Sequence, residues 1–373
     1  MELVGLVGQY LVPFLIILSI VVFVHEWGHY RVARACGVRV EVFSIGFGPE
    51  LFGFTDRRGT RWRFSAVPLG GYVKMLGDAD ATSTTPDLTA AGDPESFQAQ
   101  SVGRRAAVVV AGPAANFLFA ILLLAVLFVV SGRPFTPAEI GAVQPDSPAA
   151  AAGLQPGDRV VAVDGRAVAS FEELQTIVRA SPDTPLSFTV RRGAEELTLT
   201  VTPALSELVD RFGGVHRIGL IGVSRAGVEF RRAGPVEAMV EAVAETGRMI
   251  AGTLKGLLEM IVGARGTQEL GGPLRIAQMS GEIAKDGFVP ALWFTAVLSI
   301  NLGLINLFPI PMLDGGHLAL YAVEALRGRP LTERSQELAF RFGLAMVLSL
   351  MLFATWNDLV HLKIVEFLAG LIS

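Results

Sequence analysis

The chain has 373 residues, 51% hydrophobic and 18% charged, with a mean hydropathy of +0.50. Soluble domains carry about 25% charged residues, so a wholly soluble globular protein is excluded. The formal charge of -4 gives no basic field for nucleic acid, and the single cysteine, Cys36, excludes an internal disulfide.

In chain order, Leu3 to Val24 is a run of 22 residues without a charge, long enough to cross a bilayer, where about 20 residues suffice. Ala33-Arg34-Ala35 looks like a cleavage site. However, Glu2 precedes the apolar run and Arg31, Arg34 and Arg39 follow it, the wrong charge order for a removed signal. The run leads into His25-Glu26-Trp27-Gly28-His29, an H-E-x-x-H motif. Histidines at i and i+4 share one helix face and can hold one zinc ion, with Glu26 beside them as general base. Two histidines satisfied only by hydrogen bonds would be the bland alternative, but ionisable groups at membrane depth are costly and usually functional.

The loop that follows alternates over Val38 to Phe43 and again over Thr60 to Val67, with a turn at Thr55 to Gly59 between them. This predicts a β-hairpin with its apolar residues, Phe64 among them, on one face. Residues 77–97, rich in Asp, Ala, Thr and Pro, read as a surface stretch. Ala106 to Gly132 is a second run of 27 uncharged residues and contains Gly112-Pro113-Ala114-Ala115-Asn116.

Beyond it the order becomes strand, turn, strand, helix, strand, strand, with a helix over Phe171 to Ala180 and a hairpin around Arg192-Gly193-Ala194. Ile140 to Val143, Ser147-Pro148-Ala149, Gly153 to Asp158 and Val163-Asp164-Gly165 together resemble a bacterial PDZ domain over 133–205. That resemblance implies a groove in which an extended peptide adds as a strand; a spacer of the same shape without a ligand is the alternative. Residues 206–286 read as linker and amphipathic helix, the latter over Glu237 to Val262, lying against the bilayer or the protein.

Gly287 to Leu313 is the third uncharged run, again 27 residues, and a shorter candidate spans Phe342 to about Trp356. Arginines at 31, 34, 39, 104, 105, 327, 329, 334 and 341 flank the runs so that 31–105 and 315–341 lie inside and both termini outside. The third span then ends on the same face as the first. It closes with Asn306, Pro309, Pro311, Leu313 and Asp314-Gly315-Gly316-His317. A catalytic zinc takes three protein ligands, and this topology brings Asp314 to His25 and His29 as the third, with His317 as a rival. Prolines 309 and 311 break the helix there.

The HEWGH motif, the GPAAN segment and the N-x-x-P-x-P-x-L-D-G segment resemble the site-2 protease family of intramembrane metalloproteases, in its bacterial RseP-like branch with one PDZ domain. The resemblance implies zinc on His25, His29 and Asp314, Glu26 as catalytic base, and Asn306 as a catalytic group on the substrate or transition state. It implies that Asn116 supports the site and that 38–76 is a membrane re-entrant hairpin presenting an edge, with Phe64 on it, to substrate; Asn116, Phe64, Pro309 and Pro311 are the expected substrate-binding residues. The expected fold is thus a polytopic α-helical membrane protein of about four spans with that hairpin and an inserted α/β PDZ domain. Its parts would be 1–132, 133–205, 206–286 and 287–373. Expected partners are the bilayer, single-span membrane proteins such as anti-sigma factors or remnant signal peptides, and a peptide on the PDZ domain. The expected location is the bacterial inner membrane, with the PDZ domain outside and the active site toward the cytoplasm. A PDZ-containing membrane adaptor without activity is the rival, and a transporter a weaker one, since no inverted repeat is visible. Gly272-Pro273-Leu274-Arg275-Ile276-Ala277 departs from a related family stretch by carrying Arg275.

Overall fold

The computed structural model describes residues 7–77, 92–209, 215–227, 229–263, 271–329 and 331–361. The surface stretch expected at 77–97 lies largely outside them. A π-helical turn, Val7–Leu11, leads into α1 (Val12–Ala35), followed by the strands β1 (Val40–Thr55) and β2 (Arg61–Met75) and the helix α2 (Val102–Val130). Then come β3 (Arg133–Phe135), β4 (Ile140–Val143), α3 (Pro148–Ala151), β5 (Arg159–Val163), β6 (Arg166–Ala167), α4 (Phe171–Arg179), β7 (Leu186–Arg192) and β8 (Glu195–Val201). Four short strands follow, β9 (Ala204–Val209), β10 (Val215–Leu220), β11 (Val223–Arg225) and β12 (Glu229–Arg231). The chain closes with α5 (Pro235–Ile261), α6 (Pro273–Lys285), α7 (Phe288–Asn306), α8 (Asp314–Arg327) and α9 (Glu333–His361).

Among the described residues, four helices are long and apolar enough to cross a membrane: Gly8–Ala35, Val102–Val130, Phe288–Asn306 and Arg334–Asp358. The first continues past the apolar run, so the HEWGH motif sits inside α1 with a turn and a half of helix beyond it. The third stops at Asn306, seven residues before the uncharged run ends. Pro309 and Pro311 cannot continue the hydrogen-bond ladder, and Met312 takes a left-handed φ of 86°.

The chain divides into two compact units, 1–126 with 239–254 and 267–373, and 127–238 with 255–266. In the first, β1 and β2 are not a simple hairpin. Each bends on itself, so that residues 42–45 pair with 61–64 on one side and 71–74 on the other, while 61–65 also pair with 50–55. The result is a four-run sheet in the order 50–55, 61–65, 42–45, 71–75. Phe64 pairs with both Ile45 and Phe52 and so lies in an inner run, not at an edge as the two-strand reading requires. Gly46 and Gly70, at φ 89° and 140°, allow the bends that a period-2 pattern does not reveal. The base of this sheet is buried on α1 and α2 through Tyr30, Val38, Val40, Phe43, Met75 and Val108.

The second unit centres on the antiparallel sheet β6-β5-β7-β8. Asp164 and Gly165, both at positive φ, make the tight β5–β6 turn, a type I′ pattern suited to the twist of its strands. Ser170 caps α4 by accepting the Glu173 N–H at 3.2 Å. Inside lie Ile140, Val160, Leu174, Phe188, Val190 and Ile221. The segment after 205, read as linker, carries strands instead: β9 pairs with β10, β11 with β4 and β12 with β3. These strands are short and interrupted by glycine and arginine, which hides them from a reading by alternation.

A candidate metal centre inside the membrane helices

All of the site belongs to the first unit. One helical turn separates His25 from His29 on α1, and both rings are buried. Asp314 opens α8, where no side chain is tolerated at the next two positions. A Cβ on Gly315 would overlap the carbonyls of Leu307 and Phe308, and one on Gly316 that of Ile310. The Pro-rich turn is therefore folded flat against the first turn of α8, and this aims the Asp314 carboxylate back at α1.

The three side chains converge on one point. Asp314 Oδ2 lies 3.1 Å from His25 Nε2 and 3.5 Å from His29 Nε2, and the two nitrogens are 3.2 Å apart. Tetrahedral zinc with bonds of about 2.0 to 2.2 Å separates its ligand atoms by about 3.3 to 3.6 Å, and the three atoms already stand within about 0.2 Å of that spacing. Asp314 Oδ2 is buried and has no hydrogen-bond partner, and His29 spends its other nitrogen on the Val108 carbonyl, donating from Nδ1 at 2.9 Å. A buried oxygen and two imidazole nitrogens with lone pairs converging are unfavourable without a cation among them. Among the described residues this is the one group of three such ligands. His317 is not in it; its ring lies beside Tyr321 and Phe340.

Around the three ligands the helices approach closely. A Cβ on Gly112 of α2 would overlap His29 Nε2 and come within 2.9 Å of His25 Cε1, and one on Gly28 would overlap the Ala111 carbonyl. Glu26 projects from α1 toward β2, where a Cβ on Gly71 would lie 3.2 Å from its Cγ. The run 71–75 is thus the sheet edge beside Glu26. At the C-terminal end of α7, the Asn306 amide is 3.4 Å from His25 Nε2, at the rim of the site. Asn116 is fully buried, 3.3 Å from the other nitrogen of His25, and its backbone carbonyl accepts from Ser299 at 2.9 Å. Pro309 is exposed, and Pro311 meets α9, where a Cβ on Gly343 would overlap the Pro311 carbonyl.

Sequence reasoning quoted Gly28 and Gly112 only as members of motifs and missed the close approaches at them and at Gly71 and Gly343. A glycine inside an apolar helix costs about 1 kcal/mol, and that cost was the available signal for the helical ones. The Val108 carbonyl, a backbone group, has no signal at all.

The family model for peptidase family M50 matches residues 13–350, which contain every one of these groups. The chain belongs to peptidase family M50. Membership makes it a metalloprotease. It is 47% identical over 96% of its length to a protein of Agrobacterium fabrum, Atu1380, described as a candidate zinc metalloprotease, of which it covers 97%. It is 39% identical to metalloprotease MmpA of Caulobacter vibrioides, over 97% of this chain and 98% of that one. With the regulator of sigma-E protease RseP of Salmonella typhimurium it shares 34% identity over 94% of this chain and 98% of that one. Among solved structures, a PDZ domain from Listeria monocytogenes is similar over 24% of this chain and 88% of its own length, at 20% identity and a TM-score of 0.20.

The second unit of this M50 peptidase has a groove of about 210 Å³ between α4 and residues 219–223. Phe171, Leu174, Val178 and Ile221 give it apolar walls, and Gln144 and Gln175 add amides.

Proposed function

We propose that this M50 peptidase hydrolyses peptide bonds within membrane-spanning segments of other membrane proteins. The observation that carries this reading is the convergence of His25, His29 and Asp314 from helices α1 and α8, with Glu26 alongside. His25, His29 and Asp314 would hold zinc. When bound, zinc supplies a water that loses its proton near neutral pH and polarises the scissile carbonyl. Glu26 takes the proton of the attacking water and hands it to the leaving amine. Asn306 donates from its amide to the oxygen that gains charge; loss of one such donor costs a factor of about 100 to 1,000 in rate.

A helical substrate hides its carbonyls in its own ladder, so it must unwind before it is cut, and bare backbone in lipid is expensive. The sheet edge at 71–75, beside Glu26, supplies backbone partners for the unwound stretch. On this reading the four-run sheet dips into the bilayer from the cytoplasmic side of the inner membrane. Leu51, Phe52 and Phe54, all exposed, lie on its far edge, where lipid or substrate covers them. The second unit is a PDZ domain on the outer side, and its groove takes a peptide strand. Anti-sigma factors or remnant signal peptides, single-span proteins with a trimmed outer part, suit this arrangement.

Glu26→Gln tests the reading. The purified, reconstituted variant should retain its metal and lose cleavage of a single-span substrate. Retained cleavage would overturn the assignment of the base, and a biological role that survives the substitution would favour the adaptor reading. Substrates trapped by the same variant in cells, identified by mass spectrometry, would name the targets.

A further inference from the structure

We infer that Asn116 is the positioning residue of His25: its amide carbonyl accepts the Nδ1 proton and so holds the ring with Nε2 toward the metal. The inference rests on the zinc reading above and extends it to a residue outside the ligand set. His25 Nε2 faces the site, 3.1 Å from Asp314 Oδ2 and 3.2 Å from His29 Nε2, so as a ligand it carries no proton. The single proton of the neutral ring must then sit on Nδ1. Opposite Nδ1, at 3.3 Å, stands the NH2 end of the Asn116 amide, while its oxygen, Oδ1, is buried without a partner. Two donors face each other, and an acceptor goes unused one bond away.

A half-turn of the amide about its last bond exchanges the two ends, which have nearly the same shape. It places Oδ1 against the Nδ1–H and gives the orphaned oxygen its partner. The NH2 group loses nothing, because a protonated Nδ1 is no acceptor. The other histidine has this arrangement already: His29 Nδ1 donates to the Val108 carbonyl at 2.9 Å, leaving its Nε2 bare. Each ring is thus fixed by a carbonyl of α2, one from the backbone and one from a side chain. The Asn116 backbone is itself anchored by Ser299 Oγ, and a Cβ on Gly303 would come within 3.3 Å of the Asn116 Cβ, so the amide has a rigid base.

The test uses the full chain in detergent and measures zinc affinity by competition with a chelator. Asn116→Leu fills the space without an acceptor and should weaken zinc binding by about 10-fold to 100-fold, whereas Asn116→Asp keeps the acceptor and should stay within about threefold of the wild type. Equal affinity in Asn116→Leu, or an Asn116→Asp variant as weak as Asn116→Leu, overturns the inference. If the wild type binds zinc no better than His25→Ala, the metal reading itself fails and this inference with it.

Discussion

Gly112 and His29 touch across two helices with no space between them: a Cβ at residue 112 would overlap the ring nitrogen His29 Nε2. The helix α2 therefore serves as the wall of the metal centre, and its glycine is a requirement of distance.

Gly112→Ala should force His29, and with it His25, out of line. Zinc affinity is expected to fall at least about 10-fold, as for other losses of ligand orientation, with the helical content unchanged. Metal analysis of the purified variant beside its circular dichroism checks both halves. A fully loaded variant would mean that α2 yields more readily than its packing implies.

Arg105 and Glu324 form an ion pair between the start of α2 and α8, the helix that begins with Asp314, and their side chains are only 11% and 13% exposed. Arg105 also lies over the Tyr321 ring at 4.8 Å. Arg105→Met leaves a buried carboxylate unpaired and should cost about 3 to 5 kcal/mol, while the double change with Glu324→Leu should recover much of it. Thermal unfolding of the four members of this cycle gives the answer. A double variant no better than the single one would show that the arginine acts through packing and not through charge.

Asp358 of α9 is buried and accepts the backbone N–H groups of Gly272, Leu274 and Arg275, at 2.8, 3.1 and 3.1 Å. It supplies the N-terminal cap that α6 lacks in its own sequence, where Gly272 has no side chain to offer. Asp358→Ala strands three donors, one buried and two part-buried, and a loss of about 1 to 3 kcal/mol is expected. Hydrogen exchange should accelerate first at 272–275. This contact also explains the stretch around Arg275: the backbone of that residue is what the fold uses.

In the second unit, the fully buried Asp158 is held below the usual carboxylate range by hydrogen bonds from Arg192, at 2.7 Å to each oxygen. A carboxyl whose folded pKa is depressed adds stability above its unfolded value of about 3.9, and that stability is lost as the pH falls through the folded value. Asp158→Asn should therefore lower the melting temperature of this unit at pH 7 and make its melting less sensitive to pH below about 4. Melting curves of the full chain at several pH values test the sign. An unchanged acid limb would assign the sensitivity to another carboxylate.

Much of the site was legible in the sequence, and the reasons are physical. The i, i+4 spacing of His25 and His29 fixes a shared helix face wherever α1 lies, and the arginine flanks place Asp314 at the same end of the bundle. The sheet was only half legible. Alternation over 38–43 and 60–67 marks strands but is silent on the bends at Gly46 and Gly70, which put Phe64 inside. Close approaches at Gly28, Gly71, Gly112 and Gly343 register in the sequence only as missing side chains. The cap from Asp358 joins residues 86 positions apart, beyond any local pattern.

His25 and Asp314 are 289 positions apart in the chain. During synthesis, then, two histidines enter the bilayer long before their third partner is made. A chain stopped before α8 has a glutamate, two imidazoles and no complete cradle. The cradle of His25, His29 and Asp314 is thereby tied to the completion of α8. Timing, as well as geometry, follows from dividing the ligands between the two ends of the sequence.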